Sequence, residues 1–412
     1  MKKPYSEISK CRISDSSKLT NVLSLGNMDL TGVFPKSKDE KVTNGPVDLV
    51  WCPDSGLLQM KQTYNLEEMY GDNYGYRSGL NASMVSHLKQ KIKTLENVVK
   101  LNDSDLVIDI GSNDATSLKS YKGSHRKVGI DPTGSKFKEF YTDDITLIAD
   151  FFTAEKFRLL FPDEKAKIIT SIAMFYDLES PLDFVSDIAS CLDDEGIWHF
   201  EQSYMPSMLK TNSYDTICHE HLEFYSLKVV KDMLSKRGLR IMDVQMNSIN
   251  GGSFAVTACK DKASYISNEP IINWLLNQED EMGLDTPTPY IEFAERAFKH
   301  KRNLVDLIDA LVADGKKVFG YGASTKGNVL LQFCNLTSKQ IPYIAEVNEE
   351  KFGSYTPGSH IPIISESEAK AMNPDYFIVL PWHFKNNILA REKEFLANGG
   401  KFIFPLPEIE II

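Results

Sequence analysis

The chain has 412 residues, of which 42% are hydrophobic and 25% are charged, and its formal net charge is −11. This composition is typical of a globular protein of roughly two to four domains and excludes collagen-like, low-complexity and wholly disordered chains. The acidic balance argues against non-specific binding to nucleic acid or to an anionic membrane surface.

The sequence favours a cytoplasmic protein. No apolar run approaches the length of a membrane span, and the first residues lack the apolar segment of a signal peptide. The six cysteines are scattered along the chain without the spacing of a disulfide framework. A reducing compartment is the simplest interpretation of that pattern.

Residues 1–70 resemble a zinc ribbon that has lost half of its ligands. Cys11 and Cys52 are each followed, three residues later, by a serine, Ser14 and Ser55. A structural zinc site needs four thiolate or imidazole ligands, and a neutral serine hydroxyl is a poor substitute. The sequence therefore predicts a small N-terminal module without a bound metal.

The rest of the chain alternates apolar runs with segments of helical period, which predicts an α/β fold with parallel sheets and helices on both faces. Residues 203–285 are less regular than the segments on either side. Helices are expected at residues 78–100 and 180–192 and after 286–289. Strands are expected at residues 46–52, 106–110, 127–131, 146–149, 167–172, 196–201, 317–320, 343–345, 376–380 and 401–404.

The first glycine turn favours a ligand without phosphate. Asp109 ends a strand, and Gly111 follows it, but Asn113 stands where a dinucleotide-binding fold has its second glycine. The next strand ends in Asp131, an acid that can accept hydrogen bonds from ribose hydroxyls. The alternative is that both acids merely begin loops.

S-adenosylmethionine fits this pattern, because it combines a ribose, an adenine and a charged amino acid and carries no phosphate. Asp150 and Phe151 follow the third strand of the same unit. There, a carboxylate could meet the adenine edge and an aromatic ring could pack on the adenine face. These two residues complete the predicted cofactor site.

The triplet His219-Glu220-His221 is a candidate catalytic loop. It follows the fourth strand of the unit, and ligands of open α/β sheets bind beyond the carboxyl ends of the strands. Histidine titrates near neutral pH and so serves as a general base, and a neighbouring Glu can orient it. The zinc spacing His-Glu-x-x-His is absent. Structural, hydrogen-bonded histidines are the alternative.

A second glycine turn follows the first strand of the C-terminal unit and opens a helix. Small residues and a helix N-terminus are suited to a phosphate, and Lys326 would add a positive charge. The turn lacks Walker spacing, and an ordinary tight turn is the alternative. The predicted contacts to a diphosphate-linked substrate are Tyr321, Gly322, Ser324, Lys326 and Asn328.

Taken together, these motifs resemble the S-adenosylmethionine-dependent C-methyltransferases that act on nucleotide-linked deoxysugars, usually keto sugars. The resemblance covers nearly the whole chain. It implies a zinc-type module, a central class I methyltransferase domain with a Rossmann-like sheet, and a second Rossmann-like domain. The matching segments are residues 11–14, 52–55, 70–79, 109–114, 215–221, 250–253, 321–328, 357–358 and 405–407.

The resemblance also implies domains and roles. The domains would span 1–70, 71–285 for S-adenosylmethionine and 286–412 for the sugar nucleotide. The family's catalytic histidine falls on His221, beside Glu220, and its active-site tyrosine falls on Tyr76. His221 would deprotonate a carbon beside a ketone, Glu220 would orient the imidazole, and Tyr76 would stabilise the enolate. Further substrate contacts are expected from Tyr74, Tyr176 and His219.

Cys218 departs from the family pattern, which has tyrosine at that position, and Tyr176 stands near a position where relatives have histidine. These departures bear on the substrate and on the atom that is methylated. Separately, three alternative functions remain open. They are an O-methyltransferase on a sugar nucleotide, a nicotinamide-dependent oxidoreductase, and a non-catalytic nucleotide-sugar-binding protein. A monomer or small homo-oligomer without a nucleic-acid or membrane partner is expected in each case.

Overall fold

The computed structural model describes residues 3–65, 68–69 and 77–412. The predicted contacts Tyr74 and Tyr76 lie outside these residues. None of the helices in the described ranges is long and apolar enough to cross a membrane.

The N-terminal module is a small antiparallel β-structure. Strands β2, β3 and β4 form consecutive antiparallel pairs, and β1 pairs with β5. Their inward side chains, such as Leu23, Val47 and Leu49, are buried. The bounds are β1 Tyr5–Glu7, β2 Thr20–Asp29, β3 Asn44–Trp51, β4 Leu58–Met60 and β5 Gln62–Tyr64.

The central domain is built on a seven-stranded sheet with the order β12-β13-β10-β9-β6-β7-β8. Only β13 runs antiparallel to its neighbours. The elements are α1 Ala82–Val98, β6 Leu106–Ile110, β7 Arg126–Ile130, β8 Ile145–Ile148, α2 Ala154–Leu160, β9 Ala166–Ile172, α3 Pro181–Cys191, β10 Leu192–Ser203, α4 Met205–Lys210, β11 Glu223–Phe224, α5 Leu227–Ser235, β12 Leu239–Asn247 and β13 Ser253–Lys260. The predicted doubly wound, class I methyltransferase-like sheet is confirmed.

The C-terminal domain has a second parallel sheet, with the order β16-β15-β14-β17-β18-β19, in which only β19 is antiparallel. The predicted second Rossmann-like unit is therefore confirmed. Its elements, and the two helices that lead into it, are α6 Glu269–Glu281, α7 Thr288–Ala313, β14 Val318–Tyr321, α8 Thr325–Phe333, β15 Ile344–Glu346, β16 Ile363–Ser365, α9 Glu366–Ala371, β17 Tyr376–Val379, α10 Lys385–Arg391, α11 Lys393–Ala397, β18 Lys401–Phe404 and β19 Glu410–Ile411.

The segment 203–285 is more regular than its sequence suggests, because it contains β12, β13 and α6. Strand β13 has buried residues on both faces, so it lacks the alternation that identifies a half-exposed strand. Its position between β10 and β12 explains that burial.

The N-terminal module is joined directly to the loop that carries His219-Glu220-His221. Strand β11, which follows this loop, pairs with β4 and extends the sheet of the module. The Met60 N–H donates to the Leu222 carbonyl at 2.8 Å. The buried Arg12 guanidinium lies 3.5 Å from the Glu223 carboxylate. The module thus holds the C-terminal side of the histidine loop.

Candidate active site

One cavity of about 460 Å³ lies at the carboxyl ends of β6, β7, β9 and β10. The strand order reverses between β6 and β9, and this is the place where doubly wound sheets bind ligands. Thr325 and Lys326 of α8 complete the wall from the C-terminal domain. The cavity therefore lies between the two Rossmann-like units.

The first glycine turn is held tightly at the end of β6. Gly111 and Asn113 have φ angles of 72° and 48°, and a Cβ on Gly111 would come 3.1 Å from the Met174 side chain. The backbone N–H of Asn113 donates to Asp131 at 2.8 Å. The Asn113 side-chain oxygen accepts from the Ser78 N–H at 3.0 Å. Both predicted turn residues line the cavity.

The two strand-end acids lie together at the same end of the cavity. Asp109 accepts a hydrogen bond from the Thr170 hydroxyl at 2.5 Å, and burial raises its pKa to about 7. Asp131 accepts from the Thr133 N–H at 2.6 Å and from the Thr133 hydroxyl at 2.5 Å, in addition to Asn113. A carboxylate has about four acceptor positions, so Asp131 retains one for a ligand hydroxyl.

These residues fit S-adenosylmethionine better than a dinucleotide. A pyrophosphate at this turn would face the carboxylates of Asp109 and Asp131, whereas a ribose hydroxyl can donate to them. Apolar side chains from Phe152 and Met174 line the same wall and suit an adenine ring.

The predicted adenine contacts differ in position. Phe151 lines the cavity and is 43% exposed, as a ring available for stacking would be. Asp150 does not line the cavity, since its carboxylate pairs with Lys156 at 2.7 Å and accepts from the Phe151 N–H. The expectation that Asp150 meets the adenine edge is therefore not met in this arrangement.

His221 lines the cavity, and its ring orientation is defined by the backbone. Nδ1 lies 2.7 Å from the Thr216 carbonyl oxygen. Because a carbonyl can only accept, Nδ1 carries the hydrogen, and Nε2 retains its lone pair. Burial lowers the pKa of His221 to about 4, helped by the charge of Lys326. The imidazole is therefore neutral at neutral pH and able to accept a proton.

Tyr176 supports the histidine loop from the loop that follows β9. Its ring contacts the His221 ring edge-on, with centroids 4.3 Å apart. Its carbonyl accepts from the Leu222 N–H at 2.8 Å and the Glu223 N–H at 3.1 Å. Tyr176 lines the cavity and also anchors the loop, and its contact with substrate stays a prediction.

The roles predicted for the other two residues of the triplet need correction. Glu220 lines the cavity, but the imidazole of His221 is oriented by Thr216 and not by this carboxylate. Instead, Glu220 packs against Gly32 of the N-terminal module, where a Cβ would come within 2.4 Å of its oxygen. His219 does not line the cavity, because it is fully buried with its ring edge against Tyr64.

Three predicted contacts at the second glycine turn are structural residues. The Tyr321 hydroxyl accepts from Arg391 and donates to Glu392 at 2.9 Å. Ser324 caps α8 by accepting from the Gly327 N–H at 3.0 Å. A Cβ on Gly322 would clash with Pro381 at 2.7 Å, so glycine is required for packing. None of the three lines the cavity.

Asn328 is also structural, because its side-chain N–H donates to the Thr31 carbonyl of the N-terminal module at 2.8 Å. The turn itself holds a carboxylate of the chain where a phosphate was expected. Glu346 accepts from the Ala323 N–H at 2.7 Å and from the Val347 and Asn348 N–H groups. A phosphate would be repelled there, and only Lys326 of the predicted set lines the cavity.

Sequence reasoning missed Glu201, which lies two residues before the end of β10 and lines the cavity. Its carboxylate pairs with Lys91 at 2.8 Å and His87 at 2.6 Å, both from α1. These partners lower the pKa of Glu201 although burial opposes them. The strand-end position was a usable signal, since it is the same one that identified Asp109 and Asp131.

The ribbon-like corner of the N-terminal module does not have a zinc donor set. The Cys11 thiol lies 3.2 Å from the Ser55 hydroxyl, and the Ser14 hydroxyl lies 3.6 Å from the Cys52 thiol. Two thiols and two neutral hydroxyls, hydrogen-bonded to one another, do not fit Zn²⁺. Within the described ranges, no group of three or more His, Cys, Asp or Glu side chains could hold a metal ion.

Three families match consecutive parts of the chain. They are described as a zinc-binding domain over residues 11–70, a methyltransferase domain over 84–244 and a C-methyltransferase C-terminal domain over 248–407. The chain is 31% identical over 409 residues to the C-methyltransferase NovU of Streptomyces niveus. The aligned residues cover 98% of this chain and 97% of that protein.

Two solved methyltransferase structures each match less than half of the chain. The mitomycin 7-O-methyltransferase MmcR is 14% identical, and the match covers 44% of this chain and 55% of the MmcR chain, with a TM-score of 0.35. The magnesium protoporphyrin IX methyltransferase of Synechocystis PCC 6803 is 17% identical, and the match covers 46% of this chain and 90% of that protein, with a TM-score of 0.33.

Proposed function

This chain belongs to the C-methyltransferase family and is an S-adenosylmethionine-dependent methyltransferase, and from that premise we propose that it methylates a carbon beside the ketone of a nucleotide-linked deoxysugar. The observation that carries this proposal is the neutral His221, which lines the same cavity as Asp109 and Asp131. A base and a nucleoside site in one cavity are what such a reaction needs.

In this mechanism, His221 takes a proton from the carbon through Nε2. The Thr216 carbonyl keeps Nδ1 protonated and stabilises the imidazolium that forms. Tyr176 holds the ring against rotation by its edge contact. General-base catalysis of this kind contributes about 10²–10⁴-fold to the rate.

Lys326 is the group that we expect to stabilise the enolate oxygen. It lines the cavity from α8. Burial lowers its pKa, but the nearby Asp215 carboxylate opposes that shift and favours the charged ammonium, which would act on the enolate at short range. Tyr76 remains a proposed second donor. Bound S-adenosylmethionine would supply an electrophilic methyl group to the carbon that His221 has deprotonated.

Hydrogen exchange distinguishes this mechanism from O-methylation. The wild-type protein is incubated in D₂O with a thymidine diphosphate 4-keto-6-deoxysugar and S-adenosylhomocysteine, and deuterium incorporation is followed by NMR. We expect exchange at the carbon beside the ketone in the wild-type protein and none above background in a His221→Asn variant. Transfer of labelled methyl to the sugar without any exchange would favour an O-methyltransferase.

The other two alternatives, a nicotinamide-dependent oxidoreductase and a non-catalytic binding protein, do not agree with the family to which the chain belongs.

A further inference from the structure

Gln202 is a buried amide in the cavity that the mechanism above does not use. It lies next to the end of β10, where its backbone pairs with Phe254 of β13. Its side chain is 1% exposed and lines the cavity. The residue is therefore held by the centre of the sheet and not by a mobile loop.

Neither side-chain atom of Gln202, Oε1 or Nε2, has a hydrogen-bond partner in the part of the chain that the structure describes. Another buried glutamine, Gln62, has partners for both of its side-chain atoms. Gln62 accepts from the Asp48 N–H at 3.0 Å and donates to the Asp48 carboxylate at 2.8 Å. An unsatisfied buried amide is costly, so its presence in a cavity points to a ligand that completes its bonds.

The position of Gln202 on β10 identifies which part of the cavity it faces. Side chains alternate across a strand, so Glu201 and Gln202 point to opposite faces. Glu201 points to α1, where it pairs with Lys91. Asp109 pairs in register with Thr170, which pairs with His199 on β10, so these three side chains are on one face of the sheet. Glu201 lies two residues after His199 and is on that face too. Gln202 therefore points away from the cofactor acids.

The face that Gln202 shares is that of the histidine loop. Two residues earlier on β10, Phe200 packs against Phe175 with ring centroids 5.2 Å apart. The next residue after Phe175 is Tyr176, whose ring contacts His221. The amide therefore shares a face of β10 with Phe200, which packs on the segment that supports the histidine loop.

We propose that Gln202 is a specificity-determining residue that binds the methyl acceptor through an α-hydroxy ketone. The Nε2–H group donates to the ketone oxygen, and Oε1 accepts from the hydroxyl on the adjacent carbon. This assignment rests on the proposed function and narrows its substrate class to sugars with a hydroxyl beside the ketone.

The test compares wild-type protein with Gln202→Met, which keeps the size and removes the polar atoms. The probe is a thymidine diphosphate 4-keto-6-deoxysugar with a hydroxyl beside the ketone, titrated calorimetrically in the presence of S-adenosylhomocysteine. We expect its dissociation constant to rise about 10- to 100-fold in Gln202→Met, while that of S-adenosylhomocysteine is unchanged. Gln245→Met, at an exposed position on β12, is the matched control.

Two further measurements make the test specific. An analogue without the hydroxyl should bind wild-type and Gln202→Met with more nearly equal affinity than the complete sugar does. Without ligand, Gln202→Met should melt at a temperature equal to or above that of the wild-type protein, because an unsatisfied buried amide has been removed. A clearly lower melting temperature would mean that the amide has a structural partner and would overturn the assignment.

Failure of the proposed function is distinguishable from failure of this inference. If the wild-type protein neither exchanges nor methylates the sugar, the proposed function fails for this probe, and the titration alone decides about Gln202. Equal affinities of the wild-type and Gln202→Met proteins for the sugar, including no binding by either, would overturn the role of Gln202. Weaker binding of the sugar by Gln202→Met than by the wild-type protein would support the role of Gln202 even if no methyl transfer is observed.

Discussion

The imidazole Nδ1 of His221 lies 2.7 Å from the carbonyl oxygen of Thr216, five residues earlier in the same loop. This short backbone contact determines which nitrogen of His221 carries the hydrogen. It leaves Nε2 as the acceptor in a cavity that also contains the strand-end acids Asp109 and Asp131. The proposed chemistry depends on this orientation.

Replacing His221 by Asn should lower methyl transfer by about 10²–10⁴-fold, because the proton acceptor is lost. The affinity for S-adenosylhomocysteine should be unchanged, since the cofactor acids remain in place. Rates are measured with radiolabelled methyl donor and affinities by calorimetry. His125→Asn, in the loop before β7, is the control. Near-normal turnover of His221→Asn would remove this residue from the role of base.

The acidic limb of the pH profile should lie unusually low. His221 must be neutral to accept a proton, and burial lowers its pKa to about 4. Turnover should therefore be retained as the pH falls through 6.5, the ordinary value for histidine, and be lost as it falls through about 4. Initial rates are measured across this range, with circular dichroism to verify folding. A midpoint near 6.5 would contradict the buried, neutral imidazole.

The same profile tests the electrostatic effect of Lys326 on His221. The positive charge of Lys326 helps to lower the pKa of His221, so Lys326→Gln should move the acidic limb to higher pH. The measured quantity is the midpoint of the limb, which does not depend on how far the variant lowers the rate itself. Lys339→Gln, at an exposed position, is the control and should leave the midpoint where it is.

Replacing Asp131 by Asn should weaken cofactor binding and destabilise the first glycine turn. Asp131 accepts three hydrogen bonds, from the Asn113 N–H and from both donors of Thr133. An amide nitrogen in place of one oxygen would oppose a donor, at a cost of about 1–3 kcal/mol in the free energy of unfolding. The dissociation constant of S-adenosylhomocysteine should rise about 10-fold. Urea unfolding and calorimetry measure the two effects.

Asp143→Asn, at an exposed position before β8, is the control for this variant and should change neither quantity. Should Asp131→Asn be less stable but bind S-adenosylhomocysteine as tightly as the wild-type protein, Asp131 would have a structural role alone.

Restoring two cysteines should create a zinc site in the N-terminal module. The Ser14→Cys/Ser55→Cys protein would have four thiols in a corner where the present pairs are 3.2 and 3.6 Å apart. We expect it to bind one zinc ion per chain, measured by elemental mass spectrometry after dialysis, and to melt at a higher temperature than its metal-free form. The single variant Ser14→Cys is the control. Stoichiometric zinc in the wild-type protein would contradict the metal-free interpretation.

The positions of residues at strand ends were predictable, whereas contacts that depend on packing between domains were not. Asp109, Asp131 and Gly111 line the cavity because the carboxyl ends of parallel strands meet at one edge of a sheet. Tyr321 and Asn328 belong to a segment with equally suggestive residues, yet they bond Glu392 and Thr31, which are distant in sequence. No local pattern distinguishes a side chain that faces a ligand from one that faces another domain.

The sequence by itself determined the architecture, the cofactor class and the family, because hydrophobic period, strand-end acids and glycine turns are local features that any such fold must repeat. Only the tertiary structure decided what each polar group does within the cavity. The Thr216 carbonyl orients the His221 ring, and Glu220 packs against Gly32. The side-chain amide of Gln202 has no hydrogen-bond partner among the described residues. Hydrogen-bond partners are chosen by proximity in space, and residues far apart in sequence become neighbours only when the chain folds.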